Sequence, residues 1–107
     1  MSNQLMGHLF RAPISAVSAS GDATLVAAVT GKRIALIYYC ISCDTDADLK
    51  FTDTTGDLSG LLYTTAGWGF SDYNPEGLLI THAGEPLKVN RAGAMALGGY
   101  LGYKLTD

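Results

Sequence analysis

The sequence predicts an all-β chain folded as an antiparallel sandwich or barrel. Three observations carry this expectation. From Ile14 onward, short runs rich in Val, Ile, Leu, Thr and Tyr recur at roughly eight- to twelve-residue intervals. Breaks containing Gly, Asp or Asn separate them, and no convincing amphipathic helix intervenes. Within most runs the apolar positions repeat every second residue, as they must when one sheet face is buried and the other is wet.

In chain order, residues 1–13 carry no alternation and end at Pro13, which biases Ala12 toward an extended backbone; they read as an extended N-terminal arm. The β-sandwich domain is expected over 14–107. Its strands are Ile14–Ala19, Thr24–Val29, Arg33–Ser42, Asp48–Thr52, Leu58–Thr64, Gly77–His82, Pro86–Arg91 and Ala94–Tyr103. Leu25, Ala27 and Val29 share a face, as do Leu49 and Phe51, Leu78 and Ile80, and Leu87 and Val89. Turns are expected at Ser20-Gly21-Asp22, Thr30-Gly31, Thr55-Gly56-Asp57, Asn74-Pro75-Glu76-Gly77, Ala83-Gly84-Glu85 and Ala92-Gly93. There Gly supplies positive φ, and Asp or Asn bonds its own backbone.

Two strands depart from half-burial. Arg33–Ser42 is apolar on both faces, with Ile34, Leu36, Tyr38 and Cys40 on one and Ala35, Ile37, Tyr39 and Ile41 on the other. In the last strand Met95, Leu97, Leu101 and Tyr103 alternate with Ala96, Gly98, Tyr100 and Gly102, a face of mainly small residues that implies close approach by another element. A strand apolar on both sides is covered twice or meets another subunit, and in a two-layer sandwich the subunit contact is the natural reading.

Composition bounds the function. The chain has 107 residues, enough for one module that buries roughly 65% of its extended surface without staples. Charged residues are 16%, against about 25% in typical soluble domains, and Gly is 13 of 107 with only three Pro, so the glycines punctuate an ordered chain. The net charge is −3 and the seven basic residues are scattered, which argues against nucleic acid as a partner. No apolar run approaches the roughly 18 residues of a membrane helix, and the N-terminus lacks a basic start followed by an apolar segment; no membrane partner and no secretion are expected.

Candidate chemistry is sparse. Cys40-Ile-Ser-Cys43 has the spacing of a redox dithiol or half a zinc site, but it lies at a strand end, where an odd offset sends the sulfurs to opposite faces; packing thiols are preferred. Asp44-Thr-Asp46-Ala-Asp48 resembles the start of a calcium loop, then departs at Leu49 and Thr55; a solvated hairpin tip is preferred over a calcium site that could draw on Asp53 or Asp57. No serine sits in a nucleophile elbow, and His8 and His82 stand alone in sequence. No catalytic residue, cofactor or metal is therefore assigned, and the chain reads as a non-enzyme. Ala66-Gly-Trp68-Gly-Phe70-Ser-Asp-Tyr73 places three aromatics on a flexed loop. Trp68, Phe70 and Tyr73 are a candidate ligand platform for sugar rings, against the plainer reading that they cap the sandwich end.

The stretch Ser20–Ile37, SGDATLVAAVTGKRIALI, resembles a pattern in small structural proteins of tailed bacteriophages. Tyr73-Asn-Pro-Glu-Gly77, Thr81-His-Ala-Gly-Glu-Pro-Leu87 and Val89-Asn90, followed by a Gly-rich last strand, extend the similarity over about residues 15–103. The resemblance implies a β-sandwich virion component, such as a capsid decoration (cement) protein or a fibre module, commonly trimeric and without catalysis. Cys40–Cys43 and Asp44–Asp48 depart from that pattern.

Together these readings predict an antiparallel sandwich of jelly-roll type with about eight strands. It would be a non-enzymatic decoration protein of the virion that assembles as a trimer and binds the major capsid protein or another virion component. Leu5, Met6, Leu9 and Phe10 of the arm, with Ile37, Tyr39 and Tyr100, are the expected subunit or capsid contacts. A receptor- or glycan-binding module of a fibre or adhesin is the alternative.

Overall fold

A computed structural model describes residues 8–107. The described chain is all-β, with seven strands: β1 (Phe10–Val26), β2 (Arg33–Cys43), β3 (Asp48–Thr52), β4 (Leu62–Tyr63), β5 (Gly69–Tyr73), β6 (Leu79–Ile80) and β7 (Leu87–Thr106). They form one antiparallel sheet, ordered β4-β3-β7-β2-β5, with β1 along the other side of β7 and β6 on β2. The sheet curls into a half-barrel.

The curl comes from two long strands that sequence breaks up. Ser20-Gly21-Asp22 and Ala92-Gly93 are not hairpin turns but corners inside continuous strands, so four expected strands become two. β1 and β7 pair along almost their whole length, with register shifts at Ala16/Ala19, Ala19/Gly21 and Thr24/Val26. Such bulges bend and twist a sheet without ending it. On its other side β7 changes partner, taking β3 at Lys88–Arg91 and β2 at Leu97–Thr106.

Backbone groups left over at this corner are satisfied by two charged side chains. The Arg91 guanidinium, 5% exposed, donates from Nη1 to the carbonyls of Val17 (2.8 Å) and Met95 (2.9 Å), and from Nε to that of Gly21 (3.2 Å). The Ala96 N–H, where β7 passes from β3 to β2, donates to Asp44 Oδ1 at 2.8 Å. Buried peptide groups must find partners, and the corner supplies them through side chains instead of a ladder. Asp44, exposed as expected of an acidic tip, is thereby also tied to β7.

The core is one cluster built from the concave face: Ile34, Leu36 and Ile41 of β2, Leu49 and Phe51 of β3, and Leu87, Val89, Met95, Leu97 and Leu101 of β7. The paired apolar faces of β2 have a local cause. Leu36 pairs with Tyr103 and Tyr38 with Gly102, so Ile37 is an extra residue in a bulge. The bulge reverses the alternation: Ile34 and Leu36 point inward before it, Tyr39, Ile41 and Cys43 after it. Most of the apolar character of both parities thus serves a single core. Ile37 is buried at 3% exposure, and Tyr39 packs against Phe51 at a ring separation of 5.1 Å. Within the single chain the Ile37 side chain is thus covered, whereas Tyr39 stays half-buried and borders an open groove.

The small face of β7 is also explained within the chain. A Cβ on Gly99, at φ 129°, would lie 1.9 Å from the Cys40 carbonyl oxygen, and one on Gly102 would lie 2.1 Å from the Tyr38 ring. The element that approaches closely is β2.

The remaining differences follow from weak local signals. Phe10–Pro13, assigned to the arm, begin β1 and pair with Tyr103–Tyr100. Pro13 is tolerated because β1 is an edge strand, where a missing donor costs no ladder bond. Gly69–Tyr73, read as loop, is β5 on the outer side of β2. Leu58–Thr64 and Gly77–His82 shrink to the two-residue β4 and β6. Ala27–Val29 fall outside β1.

Candidate functional site

The convex face of β2 and its neighbours carries an open groove of about 820 Å³, lined by Arg11 and Pro13 of β1, Tyr38 and Cys40 of β2, Ser71–Tyr73 of β5 and Tyr100 of β7. Register brings these residues to one face. Pro13 pairs with Tyr100, Tyr100 with Cys40, Cys40 with Ser71, and Tyr38 with Tyr73. Tyr38 lies over Gly102 and meets Tyr100 edge-on, with ring centroids 6.1 Å apart. Tyr73 and Tyr100 remain 65% and 56% exposed. The surface is therefore three tyrosine rings on a rigid sheet, flanked by the charges of Arg11 and Asp72. Tyrosine offers large contact area at low entropy cost and a hydroxyl that bonds at the rim.

The expected contact and platform residues do not gather as a unit. Leu5 and Met6 lie outside the described residues. Leu9 and Phe10 are exposed at the start of the sheet, where Phe10 stacks on Tyr103 with ring centroids 5.3 Å apart. Tyr100 lies in the groove. Of the three-ring platform, Phe70 packs toward the core against Tyr39, with centroids 6.3 Å apart, whereas Tyr73 faces the groove and Trp68, 68% exposed, stands on the loop before β5. Two strand positions an odd number apart face opposite sides, so a single platform of Phe70 and Tyr73 is not formed.

The other sequence candidates sit at separate places in the fold. Cys40 lines the groove and Cys43 is buried, as the odd offset requires; both are free thiols. The Cys43 thiol lies 3.8 Å from the Thr65 carbonyl oxygen and 3.7 Å from that of Trp68. In the acidic run, Asp44 takes the Ala96 N–H and Asp46 the Ala66 N–H at 2.6 Å, so these carboxylates tie separate segments and do not converge on one point.

A second cluster is one that sequence reasoning missed. At the rim beyond β3, the Asp53 carboxylate is fully buried. Oδ1 accepts from the backbone of Thr55 (2.9 Å) and Gly56 (3.0 Å), while Oδ2 accepts from the His82 backbone (2.9 Å) and lies 2.7 Å from its ring Nδ1. Burial pushes this carboxyl up, but the bonds from the His82 backbone and ring and from Gly56, with the imidazole charge, outweigh it and hold the group at about 2. An ionised carboxylate only accepts, so Nδ1 carries the proton between them. Glu85 joins through the Thr55 N–H, which donates to its Oε1 at 2.8 Å. One oxygen of Asp53, one ring nitrogen of His82 and one oxygen of Glu85 all lie within 4.8 Å of one another, the one such grouping of metal-binding side chains among the described residues. Their separation in sequence hid it: only the return of the chain through β6 brings the 81–85 turn beside the 53–57 turn.

In comparison with known proteins, no family model matches this chain and no curated protein matches it.

Proposed function

We propose that this chain is a non-enzymatic structural subunit that works by adhesion, of the virion-surface kind its sequence resembles. In that reading it is a capsid decoration protein that assembles as a trimer, located on the virion and bound to the major capsid protein or another virion component. The single observation that carries the adhesive role is the convex tyrosine surface of Tyr38, Tyr73 and Tyr100. Aromatic residues dominate the buried centres of protein interfaces, and a backbone held in a sheet keeps their ordering cost on association low. Trimer and capsid come from the resemblance.

The finer architecture belongs to the same reading. The two halves of the bent β1–β7 pair, with β3 and β4 on one and β2 and β5 on the other, would form the facing layers of a jelly-roll sandwich, packed about 10 Å apart.

The test is mass in solution together with co-purification on particles. The proposal expects a trimer by light scattering that persists to micromolar concentration, dissociated by Tyr100→Arg with the fold intact by circular dichroism. A clean monomer at micromolar concentration refutes the trimer. Truncation of residues 1–9, ahead of the paired residues, should weaken particle attachment without unfolding the sheet.

A second reading, a glycan- or receptor-binding module, is favoured by the exposure of Trp68 and by the Arg11 and Asp72 charges beside the tyrosines. Glycan-array binding lost on Trp68→Ala or Tyr73→Ala would support it over assembly.

A further inference from the structure

We infer that Asp53, His82 and Glu85 form a binding site for a divalent transition-metal ion of the zinc type. The argument rests on donor chemistry and on how the donors are held. Imidazole with two carboxylates is a nitrogen–oxygen set suited to zinc, and three protein ligands leave a position for water. The three ligand atoms lie within 4.8 Å of one another, close enough to converge on one ion after small side-chain movement.

The ligands are also oriented from behind, as ligating groups in metal sites are. Asp53 is fixed through Oδ1 by the Thr55 and Gly56 amides, which leaves Oδ2 on the side of His82. Glu85 is fixed by the backbone and hydroxyl of the same Thr55. The ring is accessible, since the His82 side chain is 56% exposed while that of Asp53 is fully buried, so an ion can enter from solvent toward a protected carboxylate. Nothing else in the cluster is cationic, and two carboxylates beside one imidazole leave the group net negative. A divalent ion would replace the Nδ1 proton and neutralise both acids, joining the 53–57 turn to the 81–85 turn more firmly than the present hydrogen bonds do.

The experiment is titration of the purified full chain with Zn²⁺ alone, followed by thermal melting and by calorimetry. At a free ion concentration ten times Kd the melting temperature should rise by roughly 5–10 °C. Co²⁺ in place of Zn²⁺ should show visible bands of nitrogen and oxygen coordination. His82→Gln and Glu85→Gln should each abolish the shift; Glu85→Gln keeps an acceptor for Thr55 and guards against a variant that merely fails to fold. No shift at about 1 mM Zn²⁺, or a shift that survives both variants, overturns the proposal. A response to Ca²⁺ or Mg²⁺ equal to that to Zn²⁺ overturns the assignment of the ion class.

Discussion

Replacing Gly99 by Ala should be among the most damaging single changes in the chain, although it adds one methyl group. Gly99 sits inside β7 at φ 129°, a conformation L side chains rarely adopt, and its new Cβ would meet the Cys40 carbonyl oxygen at 1.9 Å and the carbonyl carbon at 2.9 Å. The obstacle is backbone, which cannot swing aside as a side chain can. Backbone strain of this kind costs roughly 1–3 kcal/mol. Opening the β2–β7 ladder around Cys40–Ser42 and Gly98–Tyr100 loses ladder bonds at about 1 kcal/mol each, for a total of about 3–5 kcal/mol. Against a total stability of roughly 5–15 kcal/mol typical of domains, that is a large fraction. Three other glycines separate the causes. Gly21, at φ 85° with nothing within 4 Å, should cost only the conformational term, about 1 kcal/mol on change to Ala. Gly98, whose Cβ would meet the Ser42 hydroxyl at 3.4 Å, should be nearly neutral. Gly102→Ala should displace the Tyr38 ring and change the near-ultraviolet dichroism, since the ring can move away. Urea unfolding followed by circular dichroism gives the four values. If Gly99→Ala lies within about 1 kcal/mol of wild type, the close approach of β7 to β2 is not what places glycine there.

Other consequences test the corner, the rim and the core. Arg91→Met should destabilise by about 3 kcal/mol, because it strands the carbonyls of Val17, Gly21 and Met95; equal or greater stability would mean that the desolvation cost of the guanidinium exceeded its bonds. Asp53 is held at about 2 against 3.8 for an unperturbed aspartate, so its contribution is present above about pH 4 and lost as pH falls through 2. Acid titration of unfolding free energy should show a loss of about 2 kcal/mol over that window, reduced in Asp53→Asn. The same direction holds for Asp22, lowered by bonds from Asn90 and Lys88. Thr52 and Thr106 each bury a hydroxyl without a partner among the described residues, so Thr52→Val and Thr106→Val should be neutral or stabilising by about 1 kcal/mol, whereas Thr81→Val should cost about 1–3 kcal/mol by orphaning the Ile34 N–H. Chemical denaturation of the three variants checks both signs.

The parts legible in sequence were those written in local chemistry. Asp48–Thr52 is a strand with the bounds expected of it, because Leu49 and Phe51 alternate with polar residues and turn residues flank the run. Asn74-Pro75-Glu76-Gly77 turns as expected, with Gly77 at φ 102° and the Asn74 side chain accepting the Glu76 N–H at 2.9 Å. The opposed sulfurs of Cys40 and Cys43 followed from parity alone. The groove was legible only as separate aromatics, because Tyr38, Tyr73 and Tyr100 come from three strands and meet through pairing register.

All-β class, the positions of most turns and the composition of the core are properties of residue type and short-range period, and those survive translation into the fold. What a glycine does within a chain is not such a property. Gly21 and Ala92-Gly93 carry the composition of a hairpin, yet the partner strand continues past them, and a strand that keeps its neighbour bends instead of reversing. A one-residue bulge at Ile37 exchanges inside for outside over the rest of β2, so an apparent two-faced surface becomes one core face and one tyrosine face. Asp53, His82 and Glu85 meet only because sheet order returns the chain to their rim. Pairing is a choice among distant backbones decided by collective burial, and no short window of sequence contains both partners.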